Sequence, residues 1–301
     1  MKKMMRVVGI LLAAMLVINL ILWGLQYILP IRYVTPPLIE GPKVFWSLTI
    51  GGLVFNINQT IVTTWIVMAI LITVLAIGTR NLSVENPGRF QVVLEMLYSF
   101  IENMFLANFG KYKKTFVSFI TALFSFIFLC NLISFFLPFI PLVEKLPGGG
   151  YSISPFLRSP TADMNTTVGL ALLVVVIFLS CAIKTEGVTG YLKGLASPTP
   201  VLLVINIIGE IAKPINTSMR LFGNMFAGII IMGLLYGLTI NVAGHLFAFA
   251  PGWVAFLHLY FDLFTGTIQS FVFVVLSSVY ISETLSDKDE EEELPLAAAA
   301  H

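Results

Sequence analysis

Long apolar runs, separated by short polar punctuation, set the pattern of this chain. The first follows Lys2, Lys3 and Arg6 and extends from Val7 to about Leu29, where Pro30 ends it. A basic start before an apolar run fits a retained membrane helix or a secretory signal. The run is long for a signal and has no clear small-x-small cleavage pattern, which favours retention. Pro36-Pro37 and Gly41-Pro42 then mark an irregular loop. Further apolar runs extend from Asn58 to Gly78, from Phe116 to Pro138, and from the Asp163–Thr166 region to about Ile183. Two longer ones follow, Val201 to about Val242 and Trp253 to about Ser282.

The segment from Glu85 to Lys114 is different. Phe90, Val93, Leu94, Leu97, Phe100, Ile101, Met104 and Phe105 recur at helical spacing among charged positions. That pattern predicts an amphipathic helix in the membrane interface, or one packed on protein. Pro141 to Thr166, rich in Pro, Gly and Ser, reads as a loop, in which Asp163 or Asn165 is placed to cap the next helix. The predicted fold is an all-α membrane protein with five spanning helices, or six with the first run. Residues 1–57 form the N-terminal helix or signal and an outer loop. Residues 58–282 form the membrane domain, and 283–301 an acidic tail whose final alanines and His301 carry no fold argument.

Composition agrees. Of 301 residues, 57% are hydrophobic and 11% charged, with a mean hydropathy of +0.94. Soluble domains carry about 25% charged residues. A net charge of +1 without a basic patch gives no support to a nucleic-acid partner. Cys130 and Cys181 lie in apolar runs without ligand-like neighbours, and read as small buried hydrophobes. No metal site is expected.

Charge bias orients the spans. With the amino terminus in the cytoplasm, that side holds Lys2, Lys3, Arg6, Arg80, Arg89, Lys111, Lys113, Lys114, Lys184, Lys193 and Lys288. The other holds Arg32, Lys43, Lys145 and Arg158. The acidic carboxyl-terminal tail is then cytoplasmic.

The last two runs exceed the length of an upright span. Val201 to Val242 would be about 60 Å as one helix, against a hydrocarbon core of about 30 Å. A break, which Pro214 allows, or a steep tilt accommodates the excess. A long slanted hairpin over 199–282 is expected. Asn206, Glu210, Lys213, Thr217, Arg220 and Asn224 follow one another by four, three, four, three and four residues, so they share a helical face. His258, Asp262, Thr265 and Gln269 repeat by four, three and four on the final helix, and Ser277 continues the line. Polar stripes in a bilayer face a bundle interior, a partner or water. An arginine at mid-membrane costs at least about 2.5 kcal/mol and cannot escape by deprotonation. Arg220 therefore asks for a use.

Plainer readings stand beside that one. Asn224 and Gln269 suit interhelical hydrogen bonds. Lys213 suits snorkelling to the interface or pairing with Glu210 a turn away. His258 fits a satisfied structural histidine, and Arg220 a static pair with Asp262. Gly223, Gly228, Gly233 and Gly237 thin the first helix, so that another helix can approach closely.

The stretch Met219-Arg220-Leu221-Phe222-Gly223-Asn224-Met225-Phe226-Ala227-Gly228 resembles the signature of the F-type ATP synthase subunit a family. Ile268-Gln269-Ser270-Phe271-Val272-Phe273-Val274-Val275-Leu276 is similar to its final-helix signature. Ser159 to Thr166 and Gly209 to Pro214 match its pattern as well, over a resemblance spanning roughly Phe45 to Ser282. It implies a bacterial plasma-membrane stator beside a ring of c subunits, with peripheral-stalk b subunits as further partners. It also implies H+ or Na+ passing through two half-channels. Arg220 would separate them, with Asn224 and Gln269 orienting it. Asn206 and Glu210 would line the cytoplasmic path, and Asp262, His258 and Asp163 the outer one. Many relatives carry an acid or histidine where Ile229 stands, paired with a polar residue at the position of Asp262. That departure fits sodium transport, or protons moving through water. The chain itself would be non-catalytic, with no cofactor: it has no GxxxxGK[ST] loop for nucleotide phosphates. An independent anion transporter is the alternative, but the expected inverted repeats are not found. An intramembrane protease lacks HExxH and GxSG motifs here.

Overall fold

The computed structural model describes residues 9, 10, 13, 17, 41–136, 141–145, 151–155, 158–197, 199–243, 257 and 259–298. The predicted stop at Pro30, the turn between the last two helices and His258 lie outside the described residues. So does most of the first apolar run, whose described positions are helical.

A β-hairpin opens the described chain: β1 (Val44–Ile50) pairs antiparallel with β2 (Leu53–Asn58). Gly51 and Gly52 turn it, with φ of 58° and 85°, a left-handed pair that glycine adopts without steric cost. Helix α1 (Gln59–Gly78) follows directly. Asn58 caps it, its Oδ1 accepting from the Ile61 amide at 3.0 Å. Next come α2 (Arg89–Phe105), a 3-10 segment (Ala107–Tyr112) and α3 (Lys113–Phe136).

The stretch expected to be loop after α3 contains a second hairpin, β3 (Pro141–Lys145) with β4 (Tyr151–Pro155). Each strand has five residues, too few for a period-two pattern to stand out. A 3-10 turn at Pro160–Ala162 leads into α4 (Met164–Leu195). Gly187 breaks the helical path within α4 with φ 74° and ψ 165°, at the predicted stop. The chain then resumes helix through Lys193, where a loop was expected.

Helix α5 (Leu202–Ala243) runs through Pro214 for 42 residues. Its length alone, about 63 Å at 1.5 Å per residue, exceeds a membrane. The final helix begins as a π-helix (Leu259–Thr265) and continues as α6 (Gly266–Ala298). Gln59–Gly78, Ala107–Ile133, Met164–Leu195 and Leu259–Leu285 are each long and apolar enough to cross a membrane. The protein is an all-α membrane protein in its spanning part, with the two hairpins as additions.

The chain divides into two compact units. One comprises residues 68–128, 164–222 and 268–301. Its core gathers Ile101, Phe105, Phe109, Ile120, Leu123, Ile127, Phe178, Leu221, Phe273 and Ile281. Phe105 is the aromatic hub, 5.1 Å from the Phe271 ring and 5.5 Å from that of Phe124. The apolar face predicted for α2 is thus shared. Ile101 and Phe105 enter this core, while Phe90, Val93, Phe100 and Met104 stay exposed. A helix that packs on protein with one edge and presents apolar side chains with the other suits an interface. The other unit comprises residues 1–67, 129–163 and 223–267. A buried polar network of Asn131, Ser159 and Thr161 is its most constrained described part. Cys130 is buried and Cys181 half-buried, both free thiols.

Candidate functional site

The polar stripe of α5 divides into two environments. At its start, Asn206 Nδ2 donates to the carbonyl of Leu195 at 2.8 Å, tying α5 back to the end of α4. Lys213 turns into the protein. Its Nζ is 2.8 Å from Glu210 Oε1 and 3.6 Å from Glu283 Oε2. It also lies 5.3 Å from the Tyr280 ring and 5.6 Å from the Phe178 ring. Two carboxylates and two aromatic faces thus hold one ammonium. This is the Glu210 pair, elaborated, and it replaces the snorkelling expected of Lys213. Thr217 is buried and donates to the Lys213 carbonyl at 2.8 Å.

Glu210 uses only half of its carboxylate. Its Oε2 is buried with no hydrogen-bond partner among the described residues, and so is the hydroxyl of Tyr191. Lys213, Pro214, Thr217, Ser277 and Tyr280, with Ala171, Val174, Val175 and Phe178, line a small, mostly apolar cleft of about 10 Å³, room for no more than one water. Buried polar atoms without protein partners suit a bound water. Ser277 itself is satisfied by the Phe273 carbonyl at 2.8 Å.

Farther along α5 the stripe faces outward. Ala212, Asn216, Arg220, Asn224, Ala227, Ile231 and Leu234 are all exposed and follow one another by helical steps. Among the described residues Arg220 makes no ion pair and no side-chain hydrogen bond. It is therefore not joined to Gln269, which belongs to the same unit. Gln269 is buried. Beside Arg220 in sequence, a Cβ placed on Gly223 would meet nothing within 4 Å among the described residues. Gly228 is different, with the Phe261 side chain 3.7 Å from such a Cβ. One glycine lies in open space and the other serves packing within the chain.

Asn216 belongs to this outward face and was missed in the sequence. It sits one position before Thr217 and so falls off the stripe that runs from Asn206 to Asn224. Its spacing of four from Arg220 was the available signal.

The other predicted site residues are dispersed. Asp163 Oδ2 accepts from Thr60 Oγ1 at 2.7 Å and from Asn58 Nδ2 at 3.2 Å, so the carboxylate reaches the start of α1. Asp262 lies half-buried in the π-helix. The α-helical steps that joined Asp262 and Thr265 to Gln269 are therefore not the geometry of this segment. Ile229 is exposed on α5.

Comparison with known proteins gives a consistent result. The family described as ATP synthase A chain matches residues 61–282. The sodium ion specific ATP synthase subunit a of Propionigenium modestum is 41% identical over 279 residues, covering 86% of this chain and 90% of the relative. ATP synthase subunit a of Desulforamulus reducens is 34% identical over 251 residues, covering 82% and 86%. That of Streptococcus agalactiae is 33% identical over 247 residues, covering 81% and 97%. The matched span contains α1 to α5, the π-helix and most of the apolar part of α6, and with them Arg220 and the outward face around it: the chain belongs to the ATP synthase subunit a family.

Proposed function

We propose that this chain carries the coupling ion through two aqueous half-channels kept apart by Arg220, within the ion-translocating stator role of subunit a. The supporting observation is the state of Arg220. It is a permanent cation on an exposed, largely apolar face, without a counter-charge among the described residues. A cation in a low-dielectric setting is stabilised by an anion brought to it. A carboxylate on a passing c subunit supplies that anion. Arginine suits the task because it never becomes a proton relay.

Asn206 and Glu210 line the cytoplasmic path, where the unpartnered Glu210 oxygen favours water. Asp262, His258 and Asp163 line the outer path. Asn224 and Gln269 orient Arg220 once the ring is in place. The ring and the b subunits are the protein partners, and ATP chemistry belongs to another part of the complex. The chain sits in a bacterial plasma membrane with its carboxyl terminus in the cytoplasm. Sodium is the favoured ion, since a relative at 41% identity is named as sodium specific.

The test is Arg220→Ala in the assembled enzyme in vesicles. Ion-driven ATP synthesis should fall to background while ATP hydrolysis by the detached soluble sector persists. Normal coupled synthesis would overturn the role of Arg220. ATP-driven transport that is indifferent to added sodium would replace sodium by the proton.

A further inference from the structure

We infer that Asn131 on α3 is a positioning residue for Asp262, because its side chain braces the place where the π-helix returns to α-helix. In an α-helix the amide at i bonds the carbonyl at i−4, and in a π-helix that at i−5. Where the chain changes from five to four, one carbonyl is passed over by the amides. The backbone alone then runs one donor short, and buried carbonyls need donors. Two side chains add donors beside this junction. Thr267 Oγ1 donates to the Leu263 carbonyl at 2.5 Å. Asn131 Nδ2, from a different helix, donates to the Gly266 carbonyl at 3.0 Å.

Asn131 is itself held at both ends. It is 1% exposed, and its Oδ1 accepts from the buried hydroxyl of Thr161. Ser159 Oγ, 2.7 Å from that hydroxyl, donates to the Cys130 carbonyl at 2.9 Å. The loop before α4 and the end of α3 thus fix one amide group in direction. The approach is close: a Cβ on Gly266 would stand 3.0 Å from the Asn131 Cβ. Glycine at 266 lets Asn131 reach the carbonyl.

The consequence falls on Asp262, three residues before the π-helix ends. One residue corresponds to about 100° of turn in an α-helix. If the extra residue of the π turn relaxed into α geometry, Asp262 would rotate by about that angle relative to α6. Asn131 thereby sets which way Asp262 points. The functional half of this inference rests on the proposed place of Asp262 in the ion path, whereas the positioning half does not.

The experiment separates the two halves. In assembled ATP synthase with Cys130→Ala and Cys181→Ala, Phe261→Cys, Asp262→Cys and Leu263→Cys are made singly. Their labelling by a charged, membrane-impermeant maleimide is timed. Asn131→Leu, which removes both hydrogen bonds at similar volume, should change the rate ratio between position 262 and its neighbours by about fivefold. Thr161→Val, which loosens the brace but leaves the Asn131 amide, should change it in the same direction and less. If Asn131→Leu does not assemble, Thr161→Val carries the test. Unchanged ratios in every variant that assembles would overturn the inference. In the enzyme retaining Asp262, Asn131→Leu should also raise the sodium concentration that half-saturates ATP-driven transport by about fivefold. A labelling shift without that change would leave the positioning intact and remove Asp262 from the ion path.

Discussion

Two halves of one helix carry polar residues at the same spacing and use them in opposite ways. From Asn206 to Thr217, α5 spends its polar groups inside the chain, on the Leu195 carbonyl, two carboxylates and two aromatic rings. From Asn216 to Leu234 it presents an outward face with Arg220 near its middle. Charge alone does not separate the halves, since Lys213 and Arg220 are both cations seven residues apart. Lys213 is surrounded before any partner arrives, whereas Arg220 awaits one. The first arrangement fixes α5, and the second leaves work for another protein.

The strongest way to break that comparison is to give Arg220 the chemistry of its neighbour. Lysine presents a compact ammonium that can lose its proton, without the planar fork of arginine. Removing one partner of a buried ion pair costs about 3–5 kcal/mol, so a poorly matched one should cost part of that. Arg220→Lys is expected to lower ion-driven ATP synthesis at least about tenfold, with each 1.4 kcal/mol worth a factor of ten. Synthesis in reconstituted vesicles measures it. Near-normal rates would mean that charge alone suffices.

The two glycines sharpen the same contrast. Gly223→Leu adds bulk where this chain offers open space, so the isolated subunit should keep its stability. Coupled synthesis should nevertheless fall by about tenfold, because the added side chain meets the ring. Gly228→Leu presses on Phe261 within the chain and should destabilise the subunit itself by about 1–3 kcal/mol, the usual range for overpacking. Thermal unfolding of the purified subunit in detergent separates the two. Equal loss of stability in both variants would contradict the division between an open face and a packed one.

Sequence conveyed the face of these residues better than their surroundings. The period of the α5 stripe was readable because a helix repeats every 3.6 residues. Its division was not, since whether Lys213 meets water, lipid or Tyr280 depends on distant segments. The apolar runs likewise announced the spanning helices, and Gly187 the break in α4. The β1–β2 hairpin was available in Gly51-Gly52 between two alternating segments, but its apolar residues merged with the run behind it. The π-helix had no comparable signal. The residue that follows it, Gly266, accepts a hydrogen bond from Asn131, more than a hundred positions away in sequence. The stripe built on Asp262 consequently assumed the wrong local geometry.

A smaller effect is expected at the paired end. The contact of Lys213 with Glu210 is short and half-buried, a charge-assisted hydrogen bond of about 1.5–3 kcal/mol. Its contact with Glu283 is longer, and Glu283 is 58% exposed, so that pair should contribute about 0.2–1 kcal/mol. Double-mutant cycles on thermal stability, pairing Lys213→Met with Glu210→Gln and then with Glu283→Gln, measure both couplings. The Glu210 coupling should be the larger. The reverse order would shift the anchor of α5 to the middle of α6.

Asn216 offers the finest distinction. It shares the outward face of Arg220 but carries no charge, and it makes no side-chain hydrogen bond among the described residues. If that face is wetted while a ring carboxylate approaches, the Asn216 amide stabilises the carboxylate or its water by an ordinary hydrogen bond of about 0.5–1.5 kcal/mol. Asn216→Leu should then reduce coupled synthesis by about two- to tenfold and leave the stability of the subunit unchanged. Thr217→Val, one position along, removes a hydroxyl that already serves the Lys213 carbonyl. It should act the other way round, with a modest loss of stability and little change in rate per assembled enzyme. If Asn216→Leu instead lowered stability and spared the rate, the boundary between the two halves of α5 would lie beyond Asn216, and the outward polar face would narrow to Arg220 and Asn224.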